Sequence, residues 1–193
     1  MPTAAQVAMI TTLASFSGPD GMNPYSGLAT DSSGDLFGTT SDDQASHGGT
    51  VFEIAKTASG YASAPITLAR FNGANGAFPL GGLIVDGNGD LFGTTEGGGA
   101  DGQGTAFEIP KTASGYASVP TTLVSFTLAN GAVPFAGLTA DANGTCSARP
   151  PKRAARAGAA PCSRSSRPNP ATPARLSRWP ASTAPAATVP TPP

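Results

Sequence analysis

The acids with the clearest chemical spacing are the pairs Asp31/Asp35 and Asp86/Asp90, with Asp141 opening a third such turn. Asp86, Asn88 and Asp90 match the first three side-chain positions of a calcium loop. The match then stops: Leu91 stands where the loop needs glycine, and Gly97 where it needs the bidentate glutamate. The same residues read more simply as a tight hairpin turn, with Gly34 and Gly89 at positive φ and the Asp side chains capping local amides. Sequence alone leaves calcium at the Asp31 and Asp86 turns open. Glu53 and Glu108 follow Phe52 and Phe107 in strand-like segments, so alternation puts them on the outward face. Two acids held about 5–10 Å apart in a cleft could hydrolyse a glycoside. Acids at equivalent repeat positions read more simply as solubilising.

His47 is the one histidine, in a loop without a nucleophile constellation, and reads as exposed. No glycine-rich phosphate loop precedes a helix, and no metal-ligand cluster exists in the sequence. We therefore assign no catalytic, cofactor-binding or metal residue and expect no enzyme. The loops that differ most between repeats, 41–49 and 96–104, are where a ligand would bind, although solvated connectors are the simpler reading.

These residues are carried by a repeat of 55 residues. "FEIAKTASGYASAPITLARF" (52–71) returns as "FEIPKTASGYASVPTTLVSF" (107–126), and "GLATDSSGDLFGTT" (27–40) as "GLIVDGNGDLFGTT" (82–95). A third copy opens with "GLTADANG" at 137. Phe16, Phe71 and Phe126 keep the register, as do Leu28, Leu83 and Leu138. Each repeat reads as several short strands. "TTLASF" and "ITLARF" alternate, "GGLIVD" and "DLFGTT" flank a turn, and "GTAFEI" sets Phe107 and Ile109 against Glu108. No segment has a convincing helical period, although "AAQVAMI" could make one turn or two. A four-stranded sheet with an apolar face cannot bury it alone, so the repeats must stack, as propeller blades or solenoid coils do. The fold class is all-β: an incomplete, propeller-like array of about two and a half repeats, at about 11–65, 66–120 and 121–144.

The stretch "GGLIVDGNGDLFGTTEGGGADGQGTAFEI" resembles the GloVer repeat of bacterial choice-of-anchor tandem-repeat proteins, and the resemblance spans 11–144. It implies a tandem-repeat, propeller-like protein at the cell surface or outside the cell, and it carries over no catalytic residue. "MPTAAQVAMITTLASF" has neither the basic nor the apolar region of a signal peptide, and no apolar run is long enough to span a membrane.

The character changes at 145. Residues 1–144 hold all 12 acids and three bases, whereas 145–193 hold no acid, eight bases, 11 of the 19 prolines and both cysteines, Cys146 and Cys162. The repeat predicts Asp-Leu-Phe-Gly-Thr-Thr after Gly144. Loss of one base turns GGC GAC CTG TTC GGC ACG ACC into GGG ACC TGT TCG GCA CGA CC, which spells the observed Gly-Thr-Cys-Ser-Ala-Arg-Pro. Shifted back likewise, 161–165 is compatible with Thr-Val-Phe-Glu-Ile, and Cys146, Cys162 and Trp179 fall where the repeat wants leucine or valine. We read 145–193 as a frameshifted remnant, disordered, with two free thiols. The competing reading is a genuine basic tail for nucleic acid or a membrane surface.

Two and a half blades cannot close a ring of about four to eight. Uncovered faces favour self-association, and no nucleic-acid partner is expected. The expected function is a structural or surface-display repeat in truncated form. The alternatives are a glycan- or protein-binding propeller module and a fragment of a carbohydrate-active propeller enzyme, for which Glu96 and Asp101 are further acids.

Overall fold

The computed structural model describes residues 10–129, 131–140, 145–148 and 160–161. Most of "AAQVAMI", Asp141, Cys162, Trp179 and nearly all of 145–193 lie outside them. Every regular element described is a β-strand, so the all-β reading holds. The first sheet runs β1 (Ala29–Thr30), β2 (Leu36–Thr40), β3 (Thr50–Ile54) and β6 (Ile66–Arg70), adjacent in that order and antiparallel. A two-stranded ribbon, β4 (Lys56–Thr57) and β5 (Gly60–Tyr61), is inserted before β6. The second sheet repeats the plan with β7 (Ile84–Val85), β8 (Leu91–Thr95), β9 (Thr105–Ile109) and β12 (Thr121–Ser125), and its ribbon is β10 (Lys111–Thr112) with β11 (Gly115–Tyr116). A third sheet holds β13 (Leu138–Ala140), β14 (Thr145–Ala148) and β15 (Ala160–Pro161).

The period is the expected one, but the phase differs. β6 and β12 pair with β3 and β9 of their own sheets, so each sheet closes just after the 65 and 120 boundaries read from sequence. Thr11–Phe16, the counterpart of β6, forms no strand, because a ladder needs a partner sheet and none lies before it among the described residues. Its Phe16 still packs edge-on against Phe52 at 4.7 Å, as Phe71 does against Phe107 at 4.8 Å. The second difference is β14. Its residues belong to the segment expected to be disordered, yet they pair as Thr139↔Ser147 and Ala140↔Cys146. Those pairs lie one period beyond Ile84↔Phe92 and Val85↔Leu91. The hairpin spacing is intact through 148, and backbone ladders are blind to side-chain identity.

Register sorts each sheet into two faces. In the first sheet Phe37, Val51, Glu53 and Ala69 share a forward face, while Leu36, Gly38, Phe52 and Ile54 share a rear face. The forward face, through Phe37, Val51 and Ala69, packs on Leu91, Phe107 and Ile109 of the second sheet's rear face, with Phe71 and Leu83 closing the cluster. Phe92, on the second sheet's forward face, then packs with Leu138 of the third. The stacking is head to tail, and the innermost strands β1, β7 and β13 lie side by side. This is the series arrangement of propeller blades.

A ring on a glycine fits each sheet to its neighbour. Gly93 lies directly across the ladder from Phe107, and a Cβ there would come within 2.6 Å of the Phe107 ring and 2.9 Å of Leu83. Gly38 and Phe52 repeat the arrangement, at 2.5 Å from the ring. Burying such a phenylalanine contributes about 1.5–3 kcal/mol, and its edge contact with Phe71 about 0.5–1.5 kcal/mol more. Gly93→Ala is expected to lower stability by about 1–3 kcal/mol through overpacking. A urea midpoint equal to that of the parent chain would contradict this seat.

Candidate functional site

The turn acids are occupied by the backbone. Asp31 Oδ1 accepts from the amides of Ser33 at 2.9 Å and Asp35 at 3.0 Å, and Asp86 Oδ1 accepts from Asn88 and Asp90, each at 2.9 Å. Gly34 and Gly89 both sit at φ 85°, as the hairpin reading requires. The second acid of each pair reaches the inserted ribbon: Asp35 Oδ1 accepts from the Lys56 amide and Asp90 Oδ1 from the Lys111 amide, both at 2.6 Å. Among the described residues no group of three or more His, Cys, Asp or Glu is placed to hold a metal ion.

Where the first two sheets meet, the polar residues converge. Lys111 Nζ on β10 bonds Asp31 Oδ2 in the preceding repeat at 3.3 Å, and the Asp31 side chain is only 3% exposed. The same ammonium lies 5.5 Å from the Tyr116 ring, whose edge meets Phe37 and whose hydroxyl donates to the Gly89 carbonyl at 3.1 Å. Burial opposes ionisation of Asp31, but the Asp35 amide, Lys111 and the Ser33 amide outweigh it and hold the carboxyl below its ordinary value. Burial likewise opposes the charge on Lys111, and Asp31 outweighs it, so the ammonium titrates above its usual range.

Glu53 belongs to this cluster, which corrects the outward placement expected from alternation. It shares the forward face with Phe37, directly across the ladder. Glu108, its counterpart, is 4% exposed. The alternation itself is right, but the next sheet stacks on the face that carries the glutamate. Burial raises the Glu53 carboxyl above its ordinary value, the nearby Asp35 and Asp31 raise it further, and Lys111 pulls the other way.

The variable loops are built differently in the two repeats. Asp43, fully buried, accepts from the Ser46 amide at 2.8 Å and pairs with Arg70 of β6 at 3.0 Å. Arg70 also donates to the Pro19 carbonyl. In the second repeat those positions are Gly98 and Ser125. His47 is largely exposed and bonds Asp42 at 3.1 Å. Glu96 and Asp101 lie in the second loop, Asp101 exposed and Glu96 half-buried. Threonines missing from the sequence reading tie the repeats together: Thr39 donates to Gly81 O at 3.4 Å and Thr94 to Ala136 O at 3.0 Å, each 42 residues ahead. Thr40 and Thr50 share a hydrogen bond at 2.8 Å, as do Thr95 and Thr105 at 2.9 Å. Their signal was present, since the Thr-Thr pair and the lysine both recur at the full period.

A family model described as the Gloeobacter/Verrucomicrobia repeat matches residues 3–149. The chain belongs to that family. No curated protein and no solved structure matches it. In this member of the repeat family, the recurring Asp31 and Asp86 fold their turns, and the recurring Thr39 and Thr94 join one repeat to the next.

The Glu53 assignment has a pH signature. A carboxyl whose folded value is raised binds its proton more tightly when folded, so its contribution to stability falls as pH rises through 4.5 toward the folded value. Glu53→Gln is therefore expected to raise the melting temperature at pH 7, with the gain vanishing below the ordinary glutamate range. Thermal melts of both chains across pH 3–8 check this, and a gain independent of pH would refute it.

Proposed function

We propose that this chain is a non-catalytic structural repeat module whose polar residues serve turns and repeat-to-repeat contacts. The reading rests on Asp31: one carboxylate organises its own hairpin and also pairs with Lys111 of the following repeat. Asp43, Thr39 and Thr94 support it, since their bonds also run within the chain. The proposed setting is the cell surface or the extracellular space, drawn from the resemblance to GloVer proteins. Asp31 has a depressed value, so its stabilisation is present above 3.8 and lost as pH falls through the folded value. Lys111 has a raised value, so its stabilisation is present below 10.5 and lost as pH rises through the folded value. The pair therefore stabilises the stack at neutral pH. A double-mutant cycle with Asp31→Asn and Lys111→Met is expected to give a coupling of about 1 kcal/mol at pH 7. Additive single effects would sink the module reading at this interface.

We also propose that residues 145–193 are translated out of the repeat's frame. The in-register pairing of β14 supports intact spacing through 148, while its sequence has left the repeat pattern. Sequencing the DNA through the Gly144 codon is expected to reveal further repeats once one base is restored. An alternative frame full of stops, with no repeat in it, would refute the idea.

A further inference from the structure

The two rear faces differ in what covers them. In the second sheet Leu83 is 7% exposed and Leu91 fully buried, both against the first sheet's forward face. Leu138 opens the third repeat and is also 7% exposed. The counterpart in the first repeat, Leu28, is 50% exposed, and Leu36, the counterpart of Leu91, is only half-buried. Phe16 covers Phe52 on this face, just as Phe71 covers Phe107 on the other.

Charge marks the same difference. Lys111 reaches Asp31 of the preceding repeat, while Lys56, its counterpart, has no carboxylate partner among the described residues. Its ammonium lies over the Tyr61 ring at 4.3 Å. The first rear face thus carries the aromatic seat, the two leucines and the lysine of an interface already formed once in this chain, with no opposing sheet among the described residues; Phe52 and Ile54 at its centre are buried, and Leu28 and Leu36 at its inner side are open.

We infer that the rear face of the first sheet is a docking surface for the forward face of another sheet of this same repeat. The inference rests on the reading of the chain as a stacking module. The occupant presents a phenylalanine at the place of Phe37, a small apolar strand like Val51 and Ala69, and a turn aspartate like Asp31 for Lys56. Two rear faces pressed together would set Lys56 against Lys56 and supply no carboxylate, so the contact is head to tail.

The test uses the full chain lengthened by one period, with a second copy of residues 27–81 inserted ahead of Gly27. The junction reproduces the natural step from Gly81 to Gly82. The added sheet is expected to raise the melting temperature by about 4 °C or more, since each stacked repeat adds a neighbour interface. Amide exchange at Ala29 and Thr30 of the original first repeat should slow by about tenfold or more. Lys56→Met in that repeat should lower the melting temperature of the lengthened chain by more than that of the parent, where only the contact with the Tyr61 ring is lost. An unchanged or lower melting temperature, failure of the lengthened chain to fold where the parent folds, or an equal effect of Lys56→Met in both chains would each overturn the inference. If the Asp31–Lys111 coupling persists in the parent, such a failure strikes this docking surface alone. If that coupling is absent too, the module reading fails with it.

Discussion

A phenylalanine ring lying on a glycine is the contact on which the stack depends. Phe107 can lie flat on its own sheet only because Gly93 opposite has no side chain, and Leu83 fills the space beside the ring. Phe71, at the end of the preceding sheet, then meets its edge. Four positions far apart in the period, the Leu of Gly-Leu, the Gly of Leu-Phe-Gly-Thr-Thr, the Phe of Phe-Glu-Ile and the closing Phe, thus form one contact. A sheet that supplied only three of them would leave either a void or a clash, and close-packed interiors tolerate neither cheaply.

That contact explains what could be read from sequence and what could not. The strands and the Asp turns followed from alternation and turn chemistry, because both are local. The phase did not follow, because a periodic string has no origin. Whether "ITLARF" opens one sheet or closes another is decided by the pairing of β6 with β3, which lies across the inserted ribbon. The outward placement of Glu53 failed for a related reason. Period two says which residues share a face, and only the stack says that the face carrying Glu53 is covered by the next sheet. The pairing of Asp31 with Lys111 was likewise out of reach, since the residues lie 80 positions apart and their encounter depends on the phase.

The stack also tolerates local strain. Asn23, Phe78 and Val133 occupy one position in successive repeats, and each has a positive φ, 57°, 56° and 55°, immediately before a proline. Asparagine accepts this conformation readily; phenylalanine and a β-branched valine do so at a cost of about 1–3 kcal/mol. The backbone shows why the position is kept left-handed whatever the side chain. The Phe78 amide donates to Gly48 and the Val133 amide to Gln103, each in the loop of the preceding repeat, while the Phe78 carbonyl accepts from Glu96 in its own. The residue is a backbone clasp between neighbours, and its side chain is secondary.

The loops obey the opposite rule. The first repeat ties its loop down with a buried Asp43–Arg70 pair, and the second has Gly98 and Ser125 at those places and binds its loop mainly through backbone groups such as Gly99 N to Gly73 O. A buried aspartate is tolerable only when its partners are complete, so the Asp43 and Arg70 changes must occur together. Each loop therefore differs together with the strand-end residue that ties it, Arg70 in β6 or Ser125 in β12, whereas the Gly, Phe and Leu positions and the Asp turns are the same in both repeats. The forward and rear faces differ in chemistry, one ending in Asp31 and the other in Lys56 or Lys111, so the array has a direction. A directional stack adds each repeat by the same contact, Asp31 of one repeat meeting Lys111 of the next.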